Sequence, residues 1–110
     1  MAGKFVLKKS ANGPFHFRLQ AGNGEPLLRS EMYTTKVAAQ NGIASVKTNA
    51  PHDGRYERKV AASGEPMFNL KAANHEIIGT SETYSSTAAR DKGIESVKVN
   101  APGAATDDQS

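Results

Sequence analysis

The segment Phe17–Pro51, read FRLQAGNGEPLLRSEMYTTKVAAQNGIASVKTNAP, returns as Phe68–Pro102 after 51 positions and without a gap. Extending the register back to Phe5 over Tyr56 pairs 47 positions, of which 20 are identical. A period of this length constrains the fold more than any other feature, because both copies must adopt one local structure. The identities mix apolar positions (Phe17/Phe68, Leu19/Leu70, Ile43/Ile94, Val46/Val97) with turn and polar positions (Gly13/Gly64, Asn23/Asn74, Ser30/Ser81, Glu31/Glu82, Tyr33/Tyr84).

A unit of roughly 50 residues buries too little surface to be secure alone. The chain has no cysteine, so no disulfide can staple it and no thiolate can serve as nucleophile or ligand. The two copies are therefore expected to share one core. This gives a single domain over 1–110, with repeat one at 4–51, repeat two at 55–102 and a disordered tail at 103–110. Residues 1–3 are expected to fray. No apolar run approaches the roughly 20 residues of a membrane span, and MAGKFVLKKS has no signal-peptide core. A cytoplasmic location is the default. The 14 basic and 11 acidic residues leave a formal charge of +3, an ordinary charge for solubility.

Lys4–Lys9 alternates as a strand, with Phe5 and Leu7 on one face. Asn12-Gly13 turns the chain into a second strand, where Phe15, Phe17, Leu19 and Ala21 alternate with His16, Arg18 and Gln20. Gly22-Asn23-Gly24 makes the next turn, and Pro26 opens a short third strand through Leu27 and Leu28. A helix is predicted over Thr35–Asn49, with Thr34 or Thr35 as its N-cap. Ala38, Ala39, Gly42, Ile43 and Val46 fall on one stripe. Gly42 costs helix propensity, so its return as Gly93 implies close approach of the helix backbone to the sheet. Pro51 ends the helix.

Repeat two follows the same plan. Its strand begins at Arg55–Val60, with Arg58 where repeat one has Leu7; either this strand is less buried or the arginine snorkels. At the second turn Asn74-His75 replaces Asn23-Gly24, which puts the expected positive φ on Asn74. Ser85-Ser86 precede the second helix, which runs to about Asn100 and carries Ala88, Ala89, Gly93, Ile94 and Val97. The fold class is α+β: two tandem β-β-β-α repeats form one antiparallel sheet, with two helices packed on one face.

One polar set recurs, Ser30-Glu31 with Tyr33 and Ser81-Glu82 with Tyr84. These strand-to-helix junctions are the candidate sites. As a functional set they would line a small polar pocket in each repeat. As a structural set, serine and glutamate satisfy backbone groups at the strand end while tyrosine packs its ring over the core edge; the structural reading is favoured. His16, His52 and His75 do not recur and show no ligand spacing, so no metal is expected. No nucleophile elbow, phosphate loop or cofactor motif is present. Lys8/Lys59, Lys47/Lys98, Arg18 and Lys71 are basic, but the aromatics lie on the opposite, apolar face. Without stacking partners, nucleic-acid binding is disfavoured.

With the repeat laid out, FRLQAGNGEPLL, SEMY and GIASVKTNA, matched by FNLKAANHEII, SETY and GIESVKVNA, closely resemble the YegP-like family of small bacterial proteins of unknown function. The resemblance spans about residues 4–102. It implies β(3)-α-β units in one sheet, with the strand after each helix exchanged between units, and it implies no activity. The chain departs from that pattern after the second helix, where Ala101–Ser110 has no apolar alternation. The expectation for function is a non-enzymatic structural or interaction module without a cofactor. Its partner is a second copy, through exposed sheet edges, or another protein. The alternatives are weak nucleic-acid binding by the lysine-bearing face and a small-ligand site at the Ser-Glu-Tyr junctions.

Overall fold

Alternating strands, glycine turns and hydroxyl-capped helices appear in the order the pattern requires. A computed structural model describes residues 3–110. Repeat one contributes β1 (Lys4–Lys9), β2 (Phe15–Gln20), β3 (Pro26–Arg29) and α1 (Lys36–Asn49). After a 3-10 turn at Asp53–Arg55, repeat two contributes β4 (Tyr56–Val60), β5 (Pro66–Lys71), β6 (Ile77–Thr80) and α2 (Thr87–Asn100), and β7 (Ala105–Asp108) closes the chain. Thr35 and Ser86 cap the helices, each side-chain oxygen accepting the backbone N–H three residues on.

All the strands form one sheet in the order β4-β5-β6-β3-β2-β1-β7. The repeats join at β3 and β6 through Arg29 opposite Thr80, which are the same repeat position, so a pseudo-two-fold axis passes between them. Each helix crosses that seam. α1 packs on β2 and on β5 and β6, while α2 packs on β5 and on β3. Phe5, Leu7, Phe17, Leu19, Phe68, Leu70, Val46, Ile94 and Val97 are fully buried in a single cluster. Burying each side chain of this size contributes about 1.5–3 kcal/mol. The shared core is what two small repeats need to be stable without disulfides.

The tail overturns one expectation. Residues 105–108 pair in parallel with β1, Lys4 opposite Ala105 through Leu7 opposite Asp108, so the sheet is mixed and has a seventh strand. β7 needs no apolar alternation, because all four of its residues lie at least partly exposed at an edge and ion pairs hold it: Lys4 with Asp107 and Lys36 with Asp108. Met1 and Ala2, expected to fray, lie outside the described residues. Gly3 does not fray: it is buried, and a Cβ there would overlap the Gln20 carbonyl.

Three smaller expectations also change. The positive φ of the second turn falls on His75 (φ 71°), not on Asn74. Asn23 and Asn74 each accept the backbone N–H two residues on, so both turns share a geometry in which the position after asparagine is left-handed. Gly42 is small because of a side chain rather than the sheet backbone: a Cβ would sit 2.5 Å from the Tyr33 hydroxyl, and Gly93 meets Tyr84 in the same way. Ala88 is exposed, so the buried stripe of α2 is Gly93, Ile94, Val97 and Asn100.

Candidate functional site

The Ser-Glu-Tyr junctions lie where β3 and β6 end and the chain turns toward a helix. Ser30 Oγ accepts the Phe17 N–H at 2.9 Å and donates to the Glu31 carbonyl at 2.7 Å. Ser81 Oγ does the same with the Phe68 N–H (2.9 Å) and the Glu82 carbonyl (2.7 Å). The strand bends away at this point, and each serine replaces the lost ladder partner of a core phenylalanine. Tyr33 stacks on Phe17 at 6.1 Å and Tyr84 on Phe68 at 6.2 Å, and each roofs its helix glycine. Burial, then the carboxylates of Glu31 and Glu76, push the Tyr33 hydroxyl above its ordinary range. Burial with Glu82 and Glu25 does so for Tyr84. Both phenols are neutral at physiological pH.

Only the glutamates face solvent, and neither side chain has a hydrogen-bond or ion-pair partner among the described residues. Glu82, Tyr84, Glu25 and Lys92 rim an open groove of about 440 Å³ floored by Pro26 and Leu27. Glu31 lines a different depression with Arg29 and Thr80. Glu82 also borders depressions lined by Arg29 and Thr80, so both junctions adjoin the β3–β6 seam, but Glu31 and Glu82 do not line the same depression. No group of three or more His, Asp or Glu residues could hold a metal among the described residues, and no helix there is long and apolar enough to cross a membrane. The sheet face away from the helices carries a row Val6–Arg18–Arg29–Thr80–Asn69–Glu57 by strand register. The row contains no aromatic ring and includes Glu57, which binds Asn69 and Lys71.

Comparison with known proteins places this geometry. A family model described as Domain of unknown function (DUF1508) matches residues 10–57 and 61–108. The chain belongs to this family. Among DUF1508 relatives, a UPF0339 protein of Shewanella oneidensis is 60% identical over 100 residues, covering 91% of both chains. The UPF0339 protein YegP of Escherichia coli strain K12 is 55% identical over the same span and coverage. The solution structure of a Shewanella oneidensis UPF0339 protein superposes with a TM-score of 0.91 at 56% identity, covering 98% of this chain and 92% of that one. That of Escherichia coli YegP, itself described as a protein of unknown function, gives 0.93 at 51%, covering 99% and 94%. The second DUF1508 match extends to residue 108 and so takes in β7.

The feature that sequence reasoning left unplaced is the outer side of β4. Phe68 turns both its N–H and its C=O toward Ser81, so Arg58, opposite Phe68 on β4, is in a non-hydrogen-bonded pair. The backbone N–H and C=O of Arg58 therefore point away from β5, to the uncovered side. In repeat one the same logic applies to Leu7 opposite Phe17, and there the Leu7 carbonyl accepts the Gln109 N–H at 2.8 Å. The sequence held one signal of this difference, the replacement of Leu7 by Arg58.

Proposed function

We propose that this DUF1508 protein is a non-catalytic protein-interaction module, and that it works by pairing backbone along the uncovered edge of β4. The observation that carries the reading is the outward-facing backbone of Arg58, whose counterpart at Leu7 is satisfied by β7. An open sheet edge is a ready template for strand addition, with main-chain bonds supplying affinity and flanking side chains specificity. Val60, 64% exposed at the end of β4, adds an apolar contact beside that edge. The junction serines and tyrosines are already engaged in the fold, which leaves the edge as the better candidate.

A photo-crosslinking amino acid placed at Val60 tests the reading in the cells that make the protein. The expected result is a discrete adduct that is absent when the same group replaces Val37, an equally exposed residue of α1. An adduct of twice the chain mass identifies a second copy as the partner; any other mass identifies a different protein. Equal, diffuse labelling from both positions would remove β4 as the working surface.

A further inference from the structure

The fold contains two acceptor edges and one donor strand. β1 and β4 are the same strand of the repeat, and β1 takes β7 along its outer side in parallel. Fifty-one positions before Ala105–Asp108 lie Gly54–Glu57, which form the end of the 3-10 turn and the start of β4 itself. The link between repeats is therefore used as the first strand of repeat two, and among the described residues no strand lies on the outer side of β4. From this count we infer that β4 accepts an extended acidic segment of another protein, running parallel to it as β7 runs beside β1. The inference rests on reading β4 as a docking edge and adds the direction and chemistry of the occupant.

A second copy of this chain fits the edge less well than an acidic segment does. Its β7 is already committed to its own β1. A two-fold pairing of β4 with β4 centred on Glu57 or Lys59 sets that residue opposite its own copy, and one centred on Arg58 sets two arginines opposite each other, although Glu57 then faces Lys59 on either side. Like charges directly opposite one another are destabilising.

The charges on β4 select the occupant. Lys59 is exposed and has no carboxylate within ion-pair distance among the described residues. Arg58 is held by Asp53 and Asp91, at 3.3 and 3.5 Å, in exposed pairs that an incoming carboxylate can join. Glu57 is occupied by Asn69 and Lys71 and carries negative charge where Val6 stands in β1. In the β7 register Val6 lies opposite Asp107 and Leu7 opposite Asp108. Transferred to β4, the occupant has an uncharged residue opposite Glu57 and carboxylates opposite Arg58 and Lys59. β7, at the sheet's other edge, is four residues long and carries two carboxylates, the kind of short charged edge that resists addition.

The test uses the full-length, isotope-labelled protein and the peptide Ala-Thr-Val-Asp-Asp-Ser, followed by amide NMR shifts. The expected result is a saturable shift at Arg58 and Val60 that weakens with added salt. Affinity should fall about tenfold, or about 1.4 kcal/mol, when both aspartates are asparagine. A spin label on the peptide N-terminus should broaden the amides of Arg55 and Tyr56 more than that of Val60. Equal binding of the Asn-Asn or a Lys-Lys peptide overturns the acidic assignment while leaving the docking edge in place. Broadening that is strongest at Val60 overturns the parallel direction. Shifts at Arg58 that track protein concentration without peptide make a second copy the occupant and overturn the inference. If millimolar peptide moves no β4 amide, or moves only β1 amides by displacing β7, the docking edge itself is removed. Val60→Pro deletes an outward edge N–H, since the Pro66 carbonyl opposite it is turned away to accept the Tyr84 N–H, and should abolish the peptide shift at Arg58 while the core resonances stay in place.

Discussion

Leu7 and Arg58 hold the same place in two copies of one strand, and only Leu7 has a strand on its outer side. Leu7 is fully buried, whereas the Arg58 side chain is 38% exposed and reaches Asp53 and Asp91. Position in the sheet, rather than position in the repeat, decides which side chain is tolerated there.

The two substitutions that exchange these residues should therefore behave oppositely. Leu7→Arg puts an unpaired charge in the core and should lower unfolding free energy by more than about 3 kcal/mol. Arg58→Leu removes only exposed ion pairs and should change stability by less than about 1 kcal/mol. It also strips the charge from a bare edge, so light scattering across a concentration series should show association that the parent lacks. Urea titrations of both variants give the comparison, and equal losses would contradict the assignment of β4 as the edge.

Ser81 is buried and Glu82 is exposed, although they are neighbours in one recurrent motif. Ser81→Ala leaves the Phe68 N–H without a partner inside the protein and should cost about 1–3 kcal/mol. Ser30 is partly exposed, so water can replace it and Ser30→Ala should cost less. Glu31→Gln and Glu82→Gln should stay within about 0.5 kcal/mol of the parent. A melting series of the four variants separates the fold-holding half of each junction from the solvent-facing half.

Most of the fold was legible because its signals are local. The alternation through Phe17 and Leu19, the turn glycines and the hydroxyl caps each depend on a few adjacent residues, and the 51-residue period shows the same local signals a second time. β7 was not legible, because ATDD is placed by a distant acceptor edge and by Lys4 and Lys36, none of which its own pattern reveals. The partner of Gly42 was missed for a related reason: only the folded chain brings the Tyr33 ring over it. The candidate junctions were found by recurrence, which marks shared geometry. The edge of β4 is a place where the repeats differ, and recurrence passes over it except at Leu7/Arg58.

His75 sits in a left-handed turn position with φ 71°, where its counterpart is Gly24 with φ 87°. A side chain in this region costs roughly 1–2 kcal/mol relative to ordinary backbone, partly offset by the greater freedom glycine has when unfolded. His75→Gly should therefore stabilise the protein by about 1 kcal/mol. His75→Val, β-branched at the same φ, should destabilise it. Thermal or urea unfolding of the pair checks both signs, and a loss on His75→Gly would point to a contact made by the imidazole.

The docking of β7 should depend on acid through Asp108. Hydrogen bonds from Lys36 and from the Ser110 side chain and backbone hold its carboxyl down at about 2, against about 3.9 for an unperturbed aspartate. Because the folded value lies below the unfolded one, the stabilising contribution is fully present above about pH 4 and is lost as pH falls toward 2. Amide protection along β7 and at the Gln109 N–H, which bonds Leu7, should fall across that window, before the buried core exchanges. Removing the cation with Lys36→Met should move the Asp108 midpoint up toward the ordinary aspartate range and shift the loss of β7 protection to higher pH. Carboxyl-carbon NMR titration of the two proteins reads both midpoints. An unchanged midpoint in the variant would mean that Ser110, not Lys36, holds the charge.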